Sequence, residues 1–195
     1  VFIFHGCENP VDNCLSSEKS LFEKADTLIR GGQDYENLGY SVAGVGKVDG
    51  DEHPDILVGA TQLKTCENEA DPDTCKFEGS GKAYLFLGSK DGFDLELSPG
   101  KADAVVSTDQ KGDFLGYSVA SAGDLNGDGL GDFVVGAPFY GTSPKREGAA
   151  LVFYGRDSFG DSNDLGPGNA NVQILGSQED AWLGVGVGSA GNVDD

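Results

Sequence analysis

The sequence has no methionine, one tryptophan and two histidines, and only 13 lysines and arginines stand against 33 aspartates and glutamates. The resulting net charge of −20 argues against nucleic acid and anionic membrane as partners, because like charges repel. It suits a protein that meets cations. No apolar run approaches the ~20 residues that a membrane-spanning helix needs, so direct membrane insertion is not expected. His5 and His53 are isolated, with no serine or cysteine in a recognisable catalytic arrangement, and the chain is expected to be non-catalytic. There is no Asn-x-Ser/Thr step for N-glycosylation and no visible signal peptide. With Val1-Phe2-Ile3-Phe4 at one end and Asn192-Val193-Asp194-Asp195 at the other, the chain reads as a piece of a longer one.

Glycine, by contrast, is abundant: 31 of 195 residues, with no Gly-X-Y period, which excludes collagen. The four cysteines fall in two local pairs, Cys7/Cys14 and Cys66/Cys75. Three connectivities are possible. The local one is expected, because each pair flanks a polar loop, and closing loops this short stabilises by roughly 2–3 kcal/mol. Free thiols are the alternative; zinc is disfavoured because neither pair has Cys-x-x-Cys spacing. Disulfides imply an oxidising compartment: secreted, cell-surface or periplasmic.

Internal repeats organise the chain. Ala25 to Leu38, Ala102 to Leu115 and Ala170 to Leu183 each span 13 residues, starting 77 and then 68 residues apart. Leu38-Gly39-Tyr40-Ser41-Val42-Ala43 matches Leu115-Gly116-Tyr117-Ser118-Val119-Ala120, and Asp55-Ile56-Leu57-Val58-Gly59-Ala60 matches Asp132-Phe133-Val134-Val135-Gly136-Ala137. Runs of five or six Val-, Ile-, Phe- and Tyr-rich residues bounded by Gly or Asp are strands. They predict strand A at 38–45, 115–122 and 183–190, strand B at 55–60 and 132–137, strand C at 1–5, 82–87 and 149–154, and strand D at 26–30, 103–107 and 171–175. Residues 16–24 read as a decorated loop. The expected fold is all-β, a β-propeller of four-stranded antiparallel blades. Residues 1–36 supply strands C and D of one blade, 37–110 and 111–180 are full blades, and 181–195 begin the next, so the ring is incomplete.

One loop carries chemistry. Between strands A and B of the third blade, Asp124, Asn126, Asp128 and Asp132 place oxygens at positions 1, 3, 5 and 9, with Gly129 at position 6 and the Leu130 carbonyl at position 7. Calcium takes six to eight hard oxygens in flexible geometry, and this spacing wraps them round one centre. An EF-hand is excluded, because position 12 is Val135 rather than a glutamate. A solvated acidic turn is the alternative. The matching loop of the second blade keeps Asp49, Asp51 and Asp55, carries His53 at position 7 and has Lys47 at position 1. A lysine there removes a ligand and repels a cation, so the expectation is that Lys47 replaces the ion by pairing with one of these aspartates. A third loop begins at Asn192 and Asp194 and is cut short.

Leu115-Gly116-Tyr117-Ser118, the Asp124–Asp132 loop, Gly136-Ala137-Pro138 and the strand from Gly148 to Gly155 together resemble the FG-GAP repeats of integrin α-subunit β-propellers. The resemblance covers nearly the whole chain. It implies a seven-bladed propeller with calcium in its A–B loops and an adhesive or recognition role. Its ligand face would be built from the opposite B–C and D–A loops. The sequence departs from the family in having Leu38, Leu115 and Leu183 where the family has Phe, and Thr61 where it has Pro.

The expectation is thus an extracellular, calcium-binding module that recognises a protein or glycan, with other domains or subunits completing the ring. A scaffold of a carbohydrate-active enzyme such as a polysaccharide lyase, or an assembly subunit of a larger extracellular protein, are the alternatives. Lys111-Gly112-Asp113 resembles an adhesion tripeptide, but its repeat position explains it better. Phe114 and Trp182 are expected to pack between blades, and the acidic stretch 67–73 reads as a solvated loop.

Overall fold

The computed structural model describes residues 1–3, 25–33, 35–61, 65–66, 75–76, 79–141, 146–159 and 164–191. Strands that are apolar on both faces need cover on both sides, and the chain provides it by stacking sheets. In chain order the strands are β1 (Phe2–Ile3), β2 (Thr27–Ile29), β3 (Leu38–Gly46), β4 (Asp55–Ala60), β5 (Thr65–Cys66), β6 (Cys75–Lys76) and β7 (Lys82–Phe86). They continue with β8 (Glu96–Leu97), β9 (Ala104–Ser107), β10 (Ser118–Gly123), β11 (Asp132–Ala137), β12 (Ala149–Phe153), β13 (Asp164–Leu165) and β14 (Val172–Leu175). Short 3-10 turns at Pro99–Lys101 and Pro167–Asn169 follow β8 and β13.

The architecture is all-β, with sheets of antiparallel strands, as expected from the sequence. The order β3-β4-β7-β9 forms one sheet and β10-β11-β12-β14 the next. Strand B is read to the residue in both repeats. Strand A is not. In the third repeat the ladder begins only at Ser118, and Leu115 makes a single parallel bridge to Gly81. In the fourth, Leu183 bridges to Gly148, and among the described residues 183–191 no strand follows.

The blade of four antiparallel strands also needs correction. β13 adds to β9 in parallel, giving the middle sheet five strands, and β8 adds to β2 in the same way. Each connection from strand C to strand D crosses to the outer edge of the preceding sheet. It covers an edge that would otherwise present unpaired backbone groups.

The core lies between sheets rather than within one. Leu57, Leu85 and Val106 of the middle sheet meet Leu115, Phe133, Val135, Leu151 and Phe153 of the next. The opposite face, with Val58, Tyr84 and Phe86, packs on Ile29 and Leu97. Phe133 and Phe153 are opposite one another in register, and their rings stack at 5.3 Å. Each such buried side chain contributes about 1.5–3 kcal/mol.

Where one repeat meets the next, the Leu-Gly step enters through a left-handed backbone. Asn37, Phe114 and Trp182 precede the leucine at φ 53°, 52° and 53°, and Gly39, Gly116 and Gly184 follow it at 89°, 80° and 91°. A Cβ on Gly116 would stand 2.1 Å from the Lys82 carbonyl oxygen, and one on Gly184 2.1 Å from that of Ala149. Only glycine accepts both the dihedral and the approach.

Candidate metal centre

The Asp124 loop joins β10 to β11. Gly123 at φ 77° turns the chain out of the sheet, and Gly127 and Gly129 at 76° and 89° fold it back. These turns aim main-chain N–H groups inward. Asp124 Oδ1 accepts from Gly127 at 2.8 Å and Asp128 at 3.1 Å, while Oδ2 accepts from Gly129 at 2.8 Å. Asn126 Oδ1 takes the same Asp128 N–H at 3.1 Å, its Nδ2 donates to Asp128 Oδ2 at 2.8 Å, and Asp128 Oδ1 accepts from Leu130 at 2.8 Å. Three oxygen-bearing side chains therefore converge at the exposed tip of one loop.

Asp132 behaves differently. It is fully buried; Oδ2 accepts the Leu125 N–H at 2.7 Å and Oδ1 the Gly155 N–H at 3.0 Å. It ties the loop to its own base and to the end of β12. Among the described residues no three Asp, Glu, His or Cys side chains close on a common point at metal-ligand spacing. The donor set is nonetheless all hard oxygen, so the residues fit an oxygen-loving cation in chemistry, while in this conformation their oxygens are taken up by main-chain N–H groups.

The second-repeat loop has the same base. Asp55 is fully buried, with Oδ2 accepting from Val48 at 2.7 Å and Oδ1 from Gly88 at 2.8 Å. Burial pushes its carboxyl up to about 6; the two N–H groups oppose this, and Asp49 and Asp51 add to it. Asp49 and Asp51 accept from the N–H groups of Asp51 and His53 at 3.1 and 2.6 Å. The expected pairing of Lys47 is not found: it makes no ion pair with Asp49, Asp51 or Asp55, and it is exposed. Main-chain N–H groups reach each of these carboxylates, and the Lys47 side chain stays exposed. Lys47 acts through its carbonyl instead, which accepts the Gly131 N–H at 2.8 Å, while the Val48 carbonyl accepts that of Arg156 at 2.8 Å. The two A–B loops are thus docked on each other.

Other predicted residues sort as follows. Cys66 and Cys75 lie directly opposite in the β5–β6 register. Cys7, Cys14, Asn192, Asp194 and the 67–73 stretch fall outside the described residues. Asp113 is 2% exposed, so the Lys111-Gly112-Asp113 carboxylate is not offered to a partner. Its Oδ2 has no hydrogen-bond partner, and burial raises its carboxyl to about 6, opposed by a Thr108 hydrogen bond. At the end of the sheet opposite the Asp124 loop, Phe139 receives Phe114 and Trp182 edge-on at 5.1 and 5.6 Å, with Arg146 over its ring at 5.3 Å. Sequence reasoning missed Glu36, which is buried and accepts from the Tyr84 hydroxyl at 2.8 Å and from the N–H groups of Gly32 and Gln33 at 2.7 and 3.3 Å. It aligns with Asp113 in the repeat, a signal the sequence did contain.

A run of stacked sheets joined by Leu-Gly steps, with an oxygen-rich loop between the first two strands, defines a repeat protein of the propeller type. The model of the FG-GAP repeat matches residues 115–153. The chain is 31% identical over 165 residues to a bovine phosphatidylinositol-glycan-specific phospholipase D, covering 84% of this chain and 18% of that protein. It is 32% identical over 152 residues to Drosophila melanogaster integrin alpha-PS2, covering 77% and 10%. It is 36% identical over 166 residues to mouse integrin alpha-IIb, covering 85% and 14%. The chain belongs to the FG-GAP repeat family of the integrin α type, and it spans less than a fifth of the length of these relatives.

Proposed function

We propose that the chain is part of an extracellular FG-GAP propeller, stabilised by calcium, that recognises a protein or glycan without catalysing a reaction. The observation that carries this reading is the Asp124 loop. Its tip gathers Asp124, Asn126 and Asp128, while buried Asp132 fixes its base. Asp124, Asn126, Asp128, the Leu130 carbonyl and Asp132 would hold Ca²⁺, which supplies charge neutralisation for three crowded carboxylates. The second loop is not proposed as a site, because Lys47 occupies its first position.

Recognition is assigned to the opposite end of the sheets, where Phe114, Phe139, Trp182 and Arg146 form an aromatic row with a cation. Further blades would complete the ring, with 37–110 and 111–180 as two of them. The integrin relatives support the adhesive reading; the phospholipase D relatives support the alternative of a propeller attached to an enzyme. A protein and glycan array probed with the full-length protein, with and without a calcium chelator, tests the proposal. Binding that survives Phe139→Ala unchanged would overturn the assignment of the recognition face.

A further inference from the structure

Asn126 is followed by Gly127, and every other asparagine in the chain precedes a residue with a side chain. Both residues are exposed at the tip of the β10–β11 loop. Glycine has no side chain to crowd the approach of its nitrogen to the neighbouring amide carbon. That nitrogen is not spent in a strand ladder: Gly127 sits at φ 76°, and its N–H donates to Asp124 Oδ1 at 2.8 Å. The Asp124 carboxylate is therefore within hydrogen-bond distance of the nitrogen that must attack. Asn126 is restrained only by two hydrogen bonds to Asp128, at 3.1 and 2.8 Å, both at the exposed tip.

We propose that Asn126 is a self-modification site, deamidating through a cyclic imide with Gly127, and that a cation in the loop suppresses the reaction. The Gly127 nitrogen bonds to Cγ of Asn126. The Cγ–Nδ2 bond breaks, and the proton from Gly127 leaves with the amide nitrogen as ammonia. Water then opens the imide at either carbonyl. Opening at Cγ gives aspartate on the native backbone; opening at the main-chain carbonyl gives isoaspartate, with the backbone rerouted through the side chain. Aspartate keeps an oxygen donor in the loop, whereas isoaspartate lengthens the main chain by one methylene between Asp124 and Asp128. The loop then records the age of the molecule. The protective half of the proposal rests on the calcium reading: an Asn126 oxygen held on an ion keeps its amide carbon away from the Gly127 nitrogen. The three Asp-Gly steps, at Asp49, Asp91 and Asp128, are internal references, since a carboxylate is a poorer electrophile and its rearrangement leaves mass unchanged.

The test is incubation of the purified protein in neutral buffer with a chelator, followed by peptide mapping. The peptide containing Asn126 is expected to convert before any other asparagine peptide. It should gain the mass difference between an amide and an acid and split into two chromatographic species, one labelled by isoaspartyl methyltransferase. Asn126→Ser should remove the labelled species that carries the mass shift. Conversion of other asparagines first, or a product with no isoaspartate, would overturn the proposal. In calcium at a hundredfold excess over the Kd measured by calorimetry, conversion should slow by about a hundredfold, because only the ion-free fraction reacts. Calorimetric binding with an unchanged rate would refute the protection. Absence of calorimetric binding would refute the calcium reading and the protection with it, while conversion in chelator would still uphold the modification site.

Discussion

The Ser41 hydroxyl donates to the carbonyl oxygen of Gly116 at 2.9 Å, across 75 residues of sequence. Ser118 repeats the contact on Gly184 at 2.7 Å. Beneath each carbonyl lies a glycine of strand B: a Cβ on Gly59 would stand 2.1 Å from Gly116 O, and one on Gly136 2.1 Å from Gly184 O. Both neighbours are main chain and cannot swing aside. Gly59→Ala or Gly136→Ala should therefore cost about 3 kcal/mol or more, the upper end for overpacking. Ser41→Ala should cost about 1 kcal/mol, one partly buried hydrogen bond. Urea unfolding of the variants checks both, and a Gly59→Ala protein as stable as the parent would contradict the close approach.

The aspartates of the metal loop should separate into two classes. Asp132→Ala strands the Leu125 and Gly155 N–H groups and should destabilise by roughly 2–3 kcal/mol even in chelator. Asp55→Ala should do the same through Val48 and Gly88. Asp128→Ala should change little in chelator and remove most of the stabilisation by calcium, which is about 2.7 kcal/mol at a hundredfold excess over Kd. Thermal melts with and without calcium give the readout. Equal losses for Asp128→Ala in the two conditions would show that its role is structural.

Asp113 makes stability depend on pH. Its folded carboxyl is raised to about 6, against about 3.9 in an unfolded chain. Between those values the folded state holds the proton and the unfolded state does not, so this group's contribution to stability falls as pH rises from about 4 to about 6 and stays low above. Asp55 is raised in the same direction and adds to the trend. Asp113→Asn should stabilise the protein by about 1–3 kcal/mol at pH 8 and flatten part of the acid-side slope. Denaturant midpoints across that range decide it; a variant less stable at pH 8 would show that the carboxylate is wanted ionised.

The cross-strand register of Cys66 and Cys75 predicts a disulfide between them in oxidised protein. Mass spectrometry of unreduced digests should find that link. Cys66→Ser should then lower stability by about 2 kcal/mol relative to the oxidised parent. A crossed link to Cys7 or Cys14 would refute the local pairing.

Strand B was legible to the residue because an aspartate opens it, glycine and alanine close it, and every position between is apolar. β8 and β13 were not legible. Each is a two-residue segment, Glu96–Leu97 or Asp164–Leu165, whose strand character exists only through a parallel partner in the preceding repeat. The acidic spacing of the Asp124 loop was visible, but the division of labour within it was not. Asp132 and Asp128 look alike in sequence, and only the fold buries one and exposes the other. Lys47 was misjudged because opposite charges were weighed without the main-chain N–H groups that reach the aspartates first. Glu36 and Asp113 were aligned by the repeat, yet an acid in a glycine-rich turn gives no local sign that it will be buried.

The seat that receives the glycine of each Leu-Gly step is built almost wholly of main-chain atoms, with one serine and one glycine to close it. Such a joint does not depend on two complementary side chains that must change together. A duplicated unit arrives with its own plug, the Leu-Gly turn, and its own socket, the serine of its first strand and the glycine of its second. The A–B loops meet in the same manner, through the Lys47 carbonyl and the Gly131 N–H, so side chains as different as those of Lys47 and Asp124 can occupy the same place in two neighbouring repeats while the joints beside them stay alike.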